Sequence, residues 1–213
     1  MRRAVPLALP AAFWKRWLVT PLRQFFRSLP VALALLANHS AALAAWDLQQ
    51  LMDSLAQIKS ARATFVEKKY IALLDRPVES SGELLYTAPD RLEKRTLKPK
   101  IESLVLESGT LVIERGKRTH VMRLSDFPDL IAFTESIRGT LAGDRKALEQ
   151  VYHLSLQGTE ERWSLTLRPV EPKMQELVRR ISIGGQRAEV RSVEIEQSDK
   201  DRSVMLIEPV RTP

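Results

Sequence analysis

Two hydrophobic periods divide the chain. From Leu48 to Ile58 the apolar positions Leu48, Leu51, Met52, Leu55 and Ile58 recur at helical spacing behind Asp47, a residue suited to cap a helix. From Ser60 onward the pattern changes to short alternating runs. Ala61, Ala63 and Phe65 alternate, and Arg76-Pro77 marks a turn. Gly82–Tyr86 leads to a second turn at Ala88-Pro89-Asp90. Strand-like pieces follow at Leu92–Leu97, Ile101–Leu106, Leu111–Arg115 and Arg118–Leu124, with Gly109 and Gly116-Lys117 placed as hairpin turns. The meander is then interrupted. Pro128 is a favourable first-turn residue, and Leu130, Phe133, Ile137 and Leu141 form one helical stripe ended by Gly143. Asp144 opens a second short helix through Leu148 and Gln150. Strands resume at Val151–Leu156, Arg162–Leu167, Leu177–Ile183, Val190–Glu196 and Ser203–Ile207.

The pattern predicts a mainly β protein with some α: a curved antiparallel sheet, or half-open β-barrel, of about 10–11 strands covered by a helical lid. Leu84, Tyr86, Leu104, Leu106, Met122, Leu124, Leu154, Leu156, Trp163, Leu165 and Leu167 recur at period two and give neighbouring strands a common apolar face. Such a face makes either a filled core or the wall of a ligand cavity, and periodicity does not separate the two. If it is a cavity, the candidate ligand-binding residues are Leu84, Tyr86, Leu104, Leu106, Trp163, Leu165 and Leu167, with Leu130, Phe133, Ile137 and Leu141 from the lid.

Charge changes the picture through its position. The 213 residues carry 33 Lys and Arg against 26 Asp and Glu, a net charge of +7. Arg2, Arg3, Lys15, Arg16, Arg23 and Arg27 lie in the first 44 residues, which hold no acid, so residues 45–213 are nearly neutral. The body therefore has no electrostatic reason to seek nucleic acid. After the basic stretch come an apolar run at 29–38 and small residues Ala42 and Ala44 at −3 and −1 of a cut before Ala45. Residues 1–44 thus read as a secretory signal peptide, cleaved to release residues 45–213. The apolar run is short for a hydrocarbon core of about 30 Å, which makes a retained anchor the lesser reading. The expected fate is export.

Candidate catalysts are few. There is no cysteine, which excludes disulfides, thiolate zinc sites and a cysteine nucleophile. His120 and His153 sit in strand-like runs without metal spacing or a partner motif. No cofactor, metal or catalytic residue is expected. Asp199-Lys200-Asp201 reads as a polar hairpin tip rather than a cation loop. The cluster Lys94-Arg95, Lys98 and Lys100 fits either contact with anionic lipid heads or an acidic partner, or a strand edge protected by lysine.

Several phrases, in order, resemble the LolA-like periplasmic lipoprotein-carrier family, in its divergent branch. They are Leu48–Phe65 (LQQLMDSLAQIKSARATF), Ser81–Pro89 (SGELLYTAP), Leu104–Glu114 (LVLESGTLVIE), Trp163–Pro169 (WSLTLRP), Val178–Val193 and Glu194–Ile207. The resemblance implies a half-open barrel whose concavity shields the acyl chains of a lipoprotein or lipid on its way towards the outer membrane. It further implies inner-membrane donor and outer-membrane acceptor proteins, and a monomer. One departure concerns the lid: carriers of this family place an arginine before the proline of the strand-ending phrase, where the present chain has Ala88, leaving Arg91 and Arg95 as candidate replacements. Another is that anchored relatives carry a cysteine at the cut site, where this chain has Ala45, which implies a soluble shuttle. The competing readings are an envelope scaffold with a filled β core and, behind it, a lipid hydrolase.

Overall fold

The computed structural model describes residues 46–126 and 128–210, with the side chains of 128–133 excepted. The proposed signal segment 1–44 lies outside the described residues. No described helix is long and apolar enough to cross a membrane.

Eleven strands form one antiparallel sheet that is not closed into a barrel: β1 (Ser60–Tyr70), β2 (Val78–Thr87), β3 (Arg91–Lys98), β4 (Glu102–Glu107), β5 (Thr110–Arg115), β6 (Arg118–Arg123), β7 (Tyr152–Thr159), β8 (Arg162–Pro169), β9 (Val178–Gln186), β10 (Glu189–Gln197) and β11 (Arg202–Pro209). Their order is β6-β5-β4-β3-β2-β1-β11-β10-β9-β8-β7. Every neighbouring pair is consecutive in sequence except β1–β11, which joins two hairpin meanders along eight paired positions from Ala63–Pro209 to Tyr70–Arg202. β6 and β7 are the two free edges, and the chain between them is the helical insertion. The mainly β, lidded antiparallel sheet expected from the alternation is the fold observed.

Helix α1 (Leu48–Ala56) starts at a capping box in which Asp47 accepts from the Gln50 backbone N–H and Gln50 accepts from that of Asp47, both at 2.9 Å. Its stripe Leu51, Met52 and Leu55 is fully buried. A 3-10 turn (Leu124–Asp126) leads into α2 (Pro128–Ala142), and α3 (Arg145–Val151) follows, capped by Asp144. Gly143 ends α2 at φ +67°, and a Cβ there would overlap the Met52 carbonyl of α1. The residue thus supplies both the left-handed turn and the close approach of the two helices. A fourth helical turn, α4 (Pro172–Gln175), has too few residues to show a period, and the alternation gives no sign of it.

The main core lies under α1. Leu51, Met52 and Leu55 pack with Leu148, Tyr152, Trp163, Leu165, Leu167, Met174, Ile181, Ile183 and Val193. Trp163 spans the cross-strand position of Gly185, where any Cβ would overlap the indole, and donates Nε1–H to the Arg187 carbonyl at 2.8 Å. A second, smaller cluster holds only Leu106, Leu111 and Leu124 as buried members, ringed by half-buried Leu92, Leu104, Ile113 and Met122.

Candidate functional site: an apolar cavity with one charged end

The register aligns one face of the sheet. Ala61, Ala63, Phe65 and Glu67 of β1 stand opposite Tyr86, Leu84, Gly82 and Ser80 of β2. Leu84 and Tyr86 stand opposite Lys94 and Leu92 of β3, which in turn face Leu104 and Leu106 of β4. On the other side of β1, Phe65 and Glu67 meet Ile207 and Met205 of β11. This face lines a cavity of about 920 Å³, within the range of small-molecule pockets. β5 and β9 are seven strand spacings apart, roughly 34 Å if the sheet were flat, yet both line the cavity, so the sheet curls around it.

Helix α2 lies over the cavity with Thr134, Ile137, Thr140 and Leu141, and Leu55 of α1 and Ile58 just after it line the cavity as well. Thr140 satisfies its hydroxyl within the helix by donating to the Ser136 carbonyl at 2.7 Å. Ser136 in turn hydrogen-bonds Tyr152, whose phenol is pushed up to about 12 by burial despite that bond. Gly139 makes room for Leu148 of α3, and a Cβ there would press on its side chain.

Of the sequence-derived candidates, Leu84, Tyr86, Leu104, Leu106, Ile137 and Leu141 come together on the cavity wall. Trp163, Leu165 and Leu167 do not reach it: they are buried in the filled core beneath α1. The physical reason is cover. α1 inserts its leucines over β8 and β9, so the same alternation that makes a wall elsewhere makes packed core there. The side chains of Leu130 and Phe133 lie outside the described residues. Val193, Ile195, Met205 and Ile207 also line the cavity, from strands whose alternation is as regular as that of β2 and β4.

Polar groups also stand in this wall. Tyr86 is buried, and its hydroxyl has no hydrogen-bond partner among the described residues. Burial raises its pKa, while the nearby Arg138 of α2 acts in the opposite direction. Glu67 is only 5% exposed and accepts from Lys94 Nζ at 2.5 Å, Ser203 Oγ at 2.7 Å and Ser80 Oγ at 3.3 Å, with Lys69 Nζ at 3.8 Å. Burial works to raise its pKa, but the Lys94 charge and these hydrogen bonds outweigh it and hold the carboxyl below its ordinary value. Sequence reading passed over Glu67 because Glu67-Lys68-Lys69 looks like solvated strand. The signal was its parity: it continues the odd-numbered series Ala61, Ala63, Phe65.

The basic cluster also divides by face. Lys94 enters the cavity, whereas Arg91 and Arg95 sit on the opposite face, tied to Glu93 at 3.3 and 2.5 Å, with Arg91 also held by Glu107 at 2.6 Å. β3 runs between β2 and β4, so these residues protect no sheet edge. Ala88 uses its backbone N–H on the Lys59 carbonyl. The cation beside Tyr86 on the lid side is Arg138, paired with Glu135 one turn away. His120 and His153 are exposed on the edge strands. Among the described residues, no group of three or more His, Asp or Glu side chains is arranged to hold a metal. The Asp199–Asp201 turn is closed by the Asp199 carboxylate, which accepts the Asp201 backbone N–H at 2.9 Å, with Lys200 at φ +79°.

A model of the family described as outer membrane lipoprotein carrier protein LolA-like matches residues 40–208. The chain belongs to the LolA-like family. No curated protein matches its sequence. Among solved structures this LolA-like chain is similar to a LolA superfamily protein from Nitrosomonas europaea, at 9% identity over 79% of this chain and 96% of that one, with a TM-score of 0.42. It is similar to the lipoprotein LppX of Mycobacterium tuberculosis at 12% identity over 78% and 96%, TM-score 0.44. The Pseudomonas aeruginosa MucA/MucB complex gives 15% identity over 78% and 58%, TM-score 0.45.

Proposed function

We propose that this LolA-like protein is a periplasmic carrier that holds the acyl chains of a lipid or lipoprotein in its cavity and delivers them towards the outer membrane. The observation that carries the reading is the wall itself: Leu84, Leu92, Leu104, Leu106 and Leu111 line a 920 Å³ space beneath a helix, in a chain of a lipoprotein-carrier family. Each acyl methylene moved from water onto such a wall contributes about 0.8 kcal/mol, so a single long chain supplies ample affinity without any bond-making chemistry. On this reading the protein is a binding protein rather than an enzyme, works as a monomer and uses the 1–44 segment for export. It receives cargo from an inner-membrane donor and passes it to an outer-membrane acceptor. Ala88 in place of the family's arginine turns the expectation towards a lipid as much as towards a lipoprotein.

The test is native mass spectrometry with lipid extraction on protein purified from the periplasm without detergent. A defined acylated species released on denaturation is expected. Bare protein that also takes up no fluorescent fatty-acid probe would overturn the reading.

A further inference from the structure

The two ends of the cavity differ in chemistry. Around Ala61, Ala63, Leu84, Tyr86, Leu55 and Ile58 the wall is mainly apolar and covered by helices. Further along β1, about 20 Å from Ala61 at strand rise, the wall carries Glu67 with Lys69 and Ser203 beside it, and Lys94 reaches Glu67 from its position opposite Leu84. That separation exceeds the thickness of one bilayer leaflet's hydrocarbon, about 15 Å, so an extended acyl chain fits between the ends.

The charged end is a built cluster. Lys94 spends one N–H on Glu67 and rests over the Phe65 ring at 4.9 Å, which leaves its remaining donors free for a ligand. Lys69 stands 3.8 Å from the same carboxylate and is half exposed to the cavity. Asp201 and Arg202, also on this rim, are engaged elsewhere: Asp201 accepts the Ala72 N–H at 2.8 Å, and Arg202 is held by Glu194 at 3.1 Å. Glu93 is paired with Arg91 and Arg95 on its own face of β3. Lys69 and Lys94 therefore share the single carboxylate of Glu67. A buried ion pair at this point costs desolvation that two apolar side chains would avoid, so stability alone does not account for it.

We infer that this end of the cavity binds the anionic head, carboxylate or phosphate, of an acylated amphiphile, with Lys69 and Lys94 as its cationic contacts and Glu67 as the residue that positions Lys94. The inference rests on the carrier reading and adds polarity to it. The acyl chain runs under α2 towards Tyr86, and the head stays at the Lys69 end.

The experiment compares binding of palmitate, hexadecyl phosphate and hexadecanol, three ligands with one chain length, to the delipidated protein by calorimetry in low salt. At least one anion should bind about tenfold tighter than the alcohol, as a charge-assisted hydrogen bond provides, and the tighter of the two identifies the head. Lys69→Met should remove most of that preference and leave hexadecanol binding unchanged. Because Lys94→Met alone strands Glu67 without its partner, the paired change Glu67→Gln with Lys94→Met is the second variant, and it should abolish the preference in a folded protein. Equal affinity for all three ligands, or variants that shift only the melting temperature, would overturn the headgroup site while leaving the carrier reading standing. Binding of none of the three would overturn both.

Discussion

The β7–β8 end of the sheet and the β2–β5 strands have the same alternating leucines and opposite fates. In the first, Trp163, Leu165 and Leu167 are all but inaccessible, packed with Leu51, Met52 and Leu55 of α1. In the second, Leu84, Leu92 and Leu104 remain half-buried around open space, under a helix that lines the same space with Thr134, Ile137, Thr140 and Leu141 among its described residues. A β-strand pattern determines which side chains share a face; what is laid over that face determines whether it is core or container. The filled half supplies the stability that lets the hollow half stay hollow, since apolar surface left unpacked contributes little to folding.

The contrast can be broken most violently from the filled side. Trp163→Ala should cost about 3–5 kcal/mol of stability, measured by denaturant unfolding, because the indole fills the space over Gly185 and its N–H leaves the Arg187 carbonyl unpaired. Gly185→Ala forces a methyl into that indole from the other strand and should cost about 1–3 kcal/mol in the same assay. Asp47→Ala removes the α1 capping box and should cost about 1 kcal/mol, with faster amide exchange in β8 and β9 and unchanged exchange in β3–β5. Leu104→Ala, on the hollow side, should cost less than about 1 kcal/mol in stability, yet weaken an acyl probe about fivefold.

The smallest effect is electrostatic. The folded-state pKa of Glu67 lies below the ordinary value of 4.5, so its contribution to stability is fully present above pH 4.5 and is lost as pH falls through the lowered folded pKa. Glu67→Gln should flatten that acid limb of the stability profile. An unchanged limb would contradict the buried ion pair.

Much of this was legible in advance. All eleven strands, the stripe of α1, the Pro128 start and Gly143 end of α2, and the Asp144 cap follow from period, turn residues and caps. The cavity was legible only as a face. Trp163, Leu165 and Leu167 look no different from Leu84, Leu104 and Leu106 in sequence, because the difference lies in which helix returns to cover them across the β1–β11 junction, a long-range pairing that local pattern does not encode. Glu67 was hidden for the reverse reason: a charged side chain reads as solvent-facing until the register places it between Ser80 and Met205. The lid was half legible, its stripe giving Ile137 and Leu141, whereas the Arg138–Glu135 pair and its proximity to Tyr86 depend on where α2 settles.

The division into a filled and a hollow half is tested most directly by intermolecular NMR contacts between a bound long-chain fatty acid and methyl-labelled protein. Acyl-chain protons should show contacts to the methyls of Leu84, Leu104, Leu106 and Ile137 and none to Leu165 or Leu167. Contacts to Leu165 and Leu167, or bound acid with no contact to the first four, would contradict it.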